Sequence, residues 1–171
     1  QDYIESGLNH RLSLNGLNPL GTWNGSSIGN WDNYKTFISP YMNGSWTGGS
    51  AFSAYWTPSF TGAKYWMNLY GNNVNESDLT ISEKNYLTAL KNLINAEGWM
   101  SKYYICDAEE PTGTGFPTAA QTTAIKNIYN SIKSIDSGYK LFATKELVSA
   151  WVGYIDVWDA WLGSITSRAT Y

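Results

Sequence analysis

The chain is poor in thiol, imidazole and charge. Cys106 is the one cysteine and His10 the one histidine among 171 residues. A lone cysteine excludes an internal disulfide framework. His10 is far from Cys106 in sequence, which argues against a Cys–His nucleophile pair, and Cys106 reads as a free thiol buried in a strand. Lys and Arg number 11 against 14 Asp and Glu, for a formal net charge of −3. The basic residues do not cluster, so a nucleic-acid groove is not expected. No apolar run approaches the ~20 residues of a membrane-spanning helix. Gly113-Thr114-Gly115 has neither the GxGxxG spacing nor the lysine of a P-loop, which argues against a nucleotide fold. No short-spaced ligand set points to a metal, and no cofactor is expected. No charged-then-apolar leader begins at Gln1; a processed secreted chain and an internal fragment both read this way.

Aromatic and neutral polar residues are abundant instead. There are nine Trp and thirteen Tyr, and most of the polarity comes from Asn, Ser, Thr and Gly. Such a surface is neutral and rich in hydrogen-bonding groups, which fits an extracellular or cell-surface location and a carbohydrate partner. Three N-glycosylation sequons, at Asn24, Asn43 and Asn75, lie in stretches that read as loop. They point the same way.

Periodicity sets out the elements. Residues 8–14 read as a short strand and 15–30 as a Gly- and Asn-rich loop. Tyr34, Phe37, Ile38 and Tyr41 fall at helical spacing, which predicts a helix over 32–41. Residues 51–56 and 64–70 are strand candidates. Thr80 with Glu83 forms a capping box for a helix whose apolar face is Tyr86, Leu87, Leu90, Leu93 and Ile94, and Gly98 stops it. A strand follows, ending near Cys106. Pro117 suits the first turn of a helix carrying Ala124, Ile125, Ile128, Ile132 and Ile135. Strands are expected at 139–143 and 154–158, with a short helix at 145–150 between them. From Thr80 onward this alternation reads as parallel βα units with right-handed crossovers. The expected fold class is therefore α/β, as a (β/α) TIM-barrel-like arrangement or an open sheet. A complete barrel typically takes ~250 residues, so residues 1–171 read as one incomplete barrel domain or a fragment of a larger chain.

The densest chemistry lies in Asp107-Ala108-Glu109-Glu110-Pro111. Acids at the C-terminal end of a strand can face a shared cleft, and Pro111 holds Glu110 in extended backbone. Crowded carboxylates repel, so one can keep its proton and donate it while its neighbour stabilises positive charge. That makes Glu110 the candidate acid and Glu109 its partner. Capping a turn or pairing with Lys or Arg is the alternative reading, of equal weight. Asp156, Trp158 and Trp161 form a second candidate site in which the indoles would stack on a sugar; core packing is the alternative for each Trp. His10 and Arg11 are further candidates for contact with substrate hydroxyls.

The order His10-Arg11, Gly98-Trp99, Glu109-Glu110-Pro111, Lys140-Leu141-Phe142-Ala143-Thr144 and Tyr154-Ile155-Asp156-Val157-Trp158 resembles the glycoside-hydrolase-like barrel domain related to family 123 β-N-acetylgalactosaminidases. The resemblance implies a secreted glycosidase with N-acetylhexosaminides as its candidate substrate class and Glu110 as general acid. Glu109 stands where that family carries Asp. The alternative is a non-catalytic structural or carbohydrate-binding glycoprotein on the same scaffold. Association through exposed sheet edges, or with the rest of the barrel, is a further expectation.

Overall fold

The computed structural model of the protein describes residues 22–43, 45, 78–109, 117–144 and 147–158. The chain divides into two compact units, Gln1–Gly62 with Asn85–Tyr104, and Ala63–Lys84 with Ile105–Tyr171. The expected strands at 8–14, 51–56 and 64–70 lie outside the described residues.

In the first unit, β1 (Thr22–Trp23) and β2 (Ile28–Gly29) form an antiparallel hairpin, pairing Thr22 with Gly29 and Trp23 with Ile28. This hairpin occupies part of the stretch expected to be loop. Helix α1 (Trp31–Met42) then follows. Its buried face is Tyr34, Ile38, Tyr41 and Met42, close to the spacing read from sequence. Asn30 precedes it in left-handed backbone at φ 54°, a region Asn tolerates better than most residues.

Helix α2 (Ile81–Ala96) has both ends written in the sequence. At its start the Thr80 N–H and hydroxyl donate to Glu83 Oε2 at 2.6 and 2.7 Å, and the Glu83 N–H donates to Thr80 Oγ1 at 3.3 Å. These bonds satisfy donors that a helix start leaves open. At its end the Trp99 N–H donates to the Ile94 carbonyl at 2.9 Å and the Gly98 N–H to that of Asn95 at 3.0 Å. With Gly98 at φ 71°, this is a Schellman closure, and buried Ile94 and Trp99 supply its usual apolar contact.

The core of the first unit is built from aromatic rings, and the polar tips of Trp99, Tyr34 and Tyr103 are bonded. Trp23 meets Tyr86 edge-to-face, with centroids 5.7 Å apart. The Trp99 indole, 1% exposed, donates from Nε1 to Asn43 Oδ1 at 2.8 Å. The buried hydroxyls of Tyr34 and Tyr103 share a hydrogen bond. Burial pushes the Tyr34 phenol up to about 12, although the bond to Tyr103 works the other way. Lys102 Nζ donates to the Met42 carbonyl, which ties the 3-10 turn Met100–Lys102 to the end of α1.

The second unit holds a three-stranded sheet in the order β3 (Tyr104–Glu109), β4 (Lys140–Thr144), β5 (Val157–Trp158). Strands β4 and β5 are parallel, in the register Phe142 to Val157 and Ala143 to Trp158. Helix α3 (Ala119–Ile135) packs against the 3-10 turn Ser149–Trp151. Its N-cap is Thr118, in a capping box with Gln121, and Pro117 precedes the cap instead of entering the first turn. Ala124, Ile125, Ile128 and Ile132 are buried, as their spacing predicts.

The expected (β/α) barrel is not what forms. Among the described residues the fold is predominantly helical: three α-helices hold 12, 16 and 17 residues, against strands of two to six. Among the described residues the larger sheet has three strands and does not close on itself. The connection of the parallel pair β4–β5 holds, among the described residues, no α-helix, only the short 3-10 turn. The strand expected over 154–158 is cut short by a type II turn. Val152 sits at φ −57°, ψ 129°, and Gly153 at φ 86°, and the Tyr154 N–H donates back to the Trp151 carbonyl at 2.9 Å. That turn needs a positive φ at its third residue, and glycine provides it. Only Val157 and Trp158 remain to pair.

Replacing Gly98 with Ala tests the α2 closure. A Cβ there meets nothing within 4 Å, so the cost is backbone strain alone. Urea unfolding should show a loss of about 1 kcal/mol; an unchanged midpoint would mean that the left-handed closure is not required.

Candidate functional site

The end of the β4–β5 pair gathers the best-defined polar and aromatic side chains of the second unit. Asp156 lies just before β5. Its N–H donates to the Leu141 carbonyl at 2.9 Å, and its Oδ2 accepts the Leu141 N–H at 2.8 Å. The side chain thus extends the strand pairing by one step before regular pairing starts. Lys133 Nζ, projecting from α3, lies 2.9 Å from Oδ2 and 3.2 Å from Oδ1. The Lys133 and Asp156 side chains are 21% and 26% exposed, so this pair is better shielded from water than an ordinary surface ion pair. Lys133 Nζ also donates to the Tyr139 carbonyl. Asp156 therefore joins helix α3 to both parallel strands.

Two residues beyond Asp156, the half-buried Trp158 stacks on Trp151, with centroids 6.4 Å apart and planes 21° from parallel. Trp151 is fully buried, and its Nε1 finds no acceptor among the described residues. Sequence reasoning did not single out Trp151, whose only local signal is an indole beside the Val-Gly turn. Elsewhere in the second unit, Tyr154 meets Tyr129 edge-to-face at 5.6 Å, and Lys126 Nζ sits 5.0 Å from the Tyr154 ring centre. The half-buried Trp158 thus lies nearly parallel to a buried second indole, which restricts how its ring can turn.

A second polar cluster joins the residues preceding α2 to α3. Asp78 accepts from Lys84 Nζ at 2.8 Å, from Ser131 Oγ at 2.6 Å and from the Leu79 N–H at 2.7 Å. Burial alone would raise the Asp78 carboxyl, but the Lys84, Ser131 and Leu79 bonds outweigh it and hold the group below its ordinary value. Sequence reading missed this cluster. Ser131 is 53 positions from Asp78, and nothing local marks either as a partner.

The other sequence candidates are placed as follows. Glu109 is the last residue of β3. Glu110, His10, Arg11, Trp161 and Asn75 lie outside the described residues. Asn24 is in the β1–β2 turn, and Asn43 caps the end of α1. Of the second candidate site, Asp156 stands just before β5 and Trp158 is its last residue, two positions on.

No family model matches the chain, and no curated protein or solved structure shows significant similarity to it. The expected relationship to family 123 β-N-acetylgalactosaminidases is therefore overturned, chiefly by the helical, open-sheeted fold. The glycosidase expectation fails with it. Among the described residues no three His, Cys, Asp or Glu side chains gather at a common point, and no barrel mouth is there to receive a sugar between two acids. Also among the described residues, no helix is long and apolar enough to cross a membrane.

Two substitutions test the polar clusters. Asp156→Ala should cost about 2 kcal/mol in urea unfolding, the scale of a lost charged hydrogen bond together with an unpaired neighbour. Asp156→Asn, which keeps an acceptor for the Leu141 N–H, should cost less; equal costs would assign the whole effect to Lys133. For Asp78 the folded-state pKa is lowered, so its contribution to stability is present above the unfolded value and is lost as pH falls through the folded one. Asp78→Asn should flatten the acid limb of stability measured from pH ~6 to ~3. An unchanged limb would show that another group governs it.

Proposed function

We propose that the chain is a carbohydrate-binding domain of a protein that works outside the cell, without catalysis of its own. The observation that carries this reading is the half-buried Trp158 held flat on Trp151 at the end of β5. The C–H faces of a sugar pack well on an indole, and a ring already fixed by a second ring loses little freedom when it binds. The charge-poor, Asn- and Ser-rich composition and the sequons support a location outside the cell.

A glycan array probed with the whole chain, followed by calorimetry on the best ligands, tests the reading. Trp158→Ala should weaken binding by about tenfold or more, while the far-ultraviolet circular dichroism stays that of the parent. Tyr154→Phe, which keeps the ring, should retain most of the affinity. An array with no ligand above background, or binding indifferent to Trp158→Ala, would overturn the assignment.

A further inference from the structure

The Asn24-Gly25-Ser26 sequon is the turn of the β1–β2 hairpin, and residues 24–27 are all exposed. The Asn24 N–H donates to the Ser27 carbonyl at 3.1 Å and closes the loop. Gly25 holds φ 98°. The Asn24 side chain then organises the turn from inside. Its Oδ1 accepts the N–H groups of Ser26 and Ser27 at 3.0 and 2.9 Å and the Ser26 hydroxyl at 3.1 Å. Nδ2 donates to Ser27 Oγ at 3.0 Å. The oxygen of this amide thus carries most of the turn, while the nitrogen carries little of it.

From this division of labour we infer that Asn24 is an acceptor for an N-linked glycan, and that the folded hairpin keeps its turn once the sugar is attached. The inference rests on the extracellular location proposed above. In the transfer, Asn24 Nδ2 forms a bond to the anomeric carbon of an oligosaccharide carried on a lipid pyrophosphate. The carbon–oxygen bond to the pyrophosphate breaks, and its electron pair leaves with that group. One Nδ2 proton passes to a base on the transferase. Oδ1 takes no part in the new bond, so its contacts with the Ser26 N–H and hydroxyl and with the Ser27 N–H survive. The sugar takes the Nδ2 position syn to Oδ1, the side on which Ser27 Oγ lies 3.0 Å from Nδ2 and 3.4 Å from Oδ1, so that single bond gives way to the glycan. The hydroxyl that the sequon requires two residues on, that of Ser26, already bonds to the same amide.

Asn43, also a sequon residue, is differently engaged. Its Oδ1 supports the buried Trp99 indole across 56 positions, so its amide is part of the core's polar lining as well as of the surface. Among the described residues Asn24 is bonded only within its own turn, which makes it the clearer acceptor of the two.

The test is secretion of the whole chain behind a cleavable leader from cells that make N-linked glycans. Enzymatic deglycosylation in heavy-oxygen water then marks each occupied Asn for mass spectrometry. Asn24 should be occupied in the parent, in Ser26→Thr and in Ser27→Ala, and bare in Ser26→Ala. A secreted parent with bare Asn24, or occupancy unchanged by Ser26→Ala, would overturn the inference. The same peptide taken from the chain's own source separates the two readings. Asn24 bare there but occupied after forced secretion overturns the extracellular location, while acceptor competence stands.

Discussion

The second unit depends on one carboxylate that stands in for backbone. Asp156 accepts the Leu141 N–H where a further strand residue would have offered a carbonyl, and it holds Lys133 of α3 at the same time. The β5 strand is only two residues long, too short to fix its own register by ladder bonds. The Asp156 bridge supplies that register and so decides that Trp158 falls beside Ala143. A charge in this position is stable because its oxygens are matched by an ammonium and an amide donor; a half-buried carboxylate lacking them would lose far more than it contributes.

The first unit solves a related problem with aromatic rings. Large rings bury much apolar area, but Trp and Tyr bring polar atoms with them. Trp99 finds Asn43, and Tyr34 finds Tyr103. Much of the aromatic content that the composition seemed to offer for sugar contact is in fact inside: Trp99, Trp151, Tyr34, Tyr86, Tyr103 and Tyr139 are all fully buried. Among the described residues two indoles keep some accessible surface over buried rings: Trp31 meets Tyr34 and Trp99 at tilts of 32° and 49°, whereas Trp158 lies nearly parallel to Trp151. That contrast, more than aromatic abundance, is what singles it out.

Helices were legible because their signals are local. The Thr80–Glu83 box, the Gly98 stop and the apolar spacings of α1, α2 and α3 all lie within a few residues of the structure they specify; the Thr118–Gln121 box is as local, but Pro117 drew attention away from it. Strands were located less well. The 154–158 segment has strand composition, yet Gly153 turns the chain through Tyr154. The 22–29 segment is rich in Gly and Asn, yet it pairs with itself. Of the candidate site, Asp156 and Trp158 were picked out, but as two sugar contacts. The partners Leu141, Lys133 and Trp151 lie on other segments and leave no local mark.

The chain's own order of residues determined where helices begin and end, because capping and periodicity act between neighbours and cost little to satisfy in isolation. Tertiary structure alone decided that the strands form a short open sheet instead of a ring. It alone decided, too, that Asp156 serves the backbone and that Trp158 lies over Trp151. Each of those outcomes turns on which distant groups meet, and a hydrogen-bond acceptor or a ring face is identical in sequence whether its partner is a ligand, an amide or another ring.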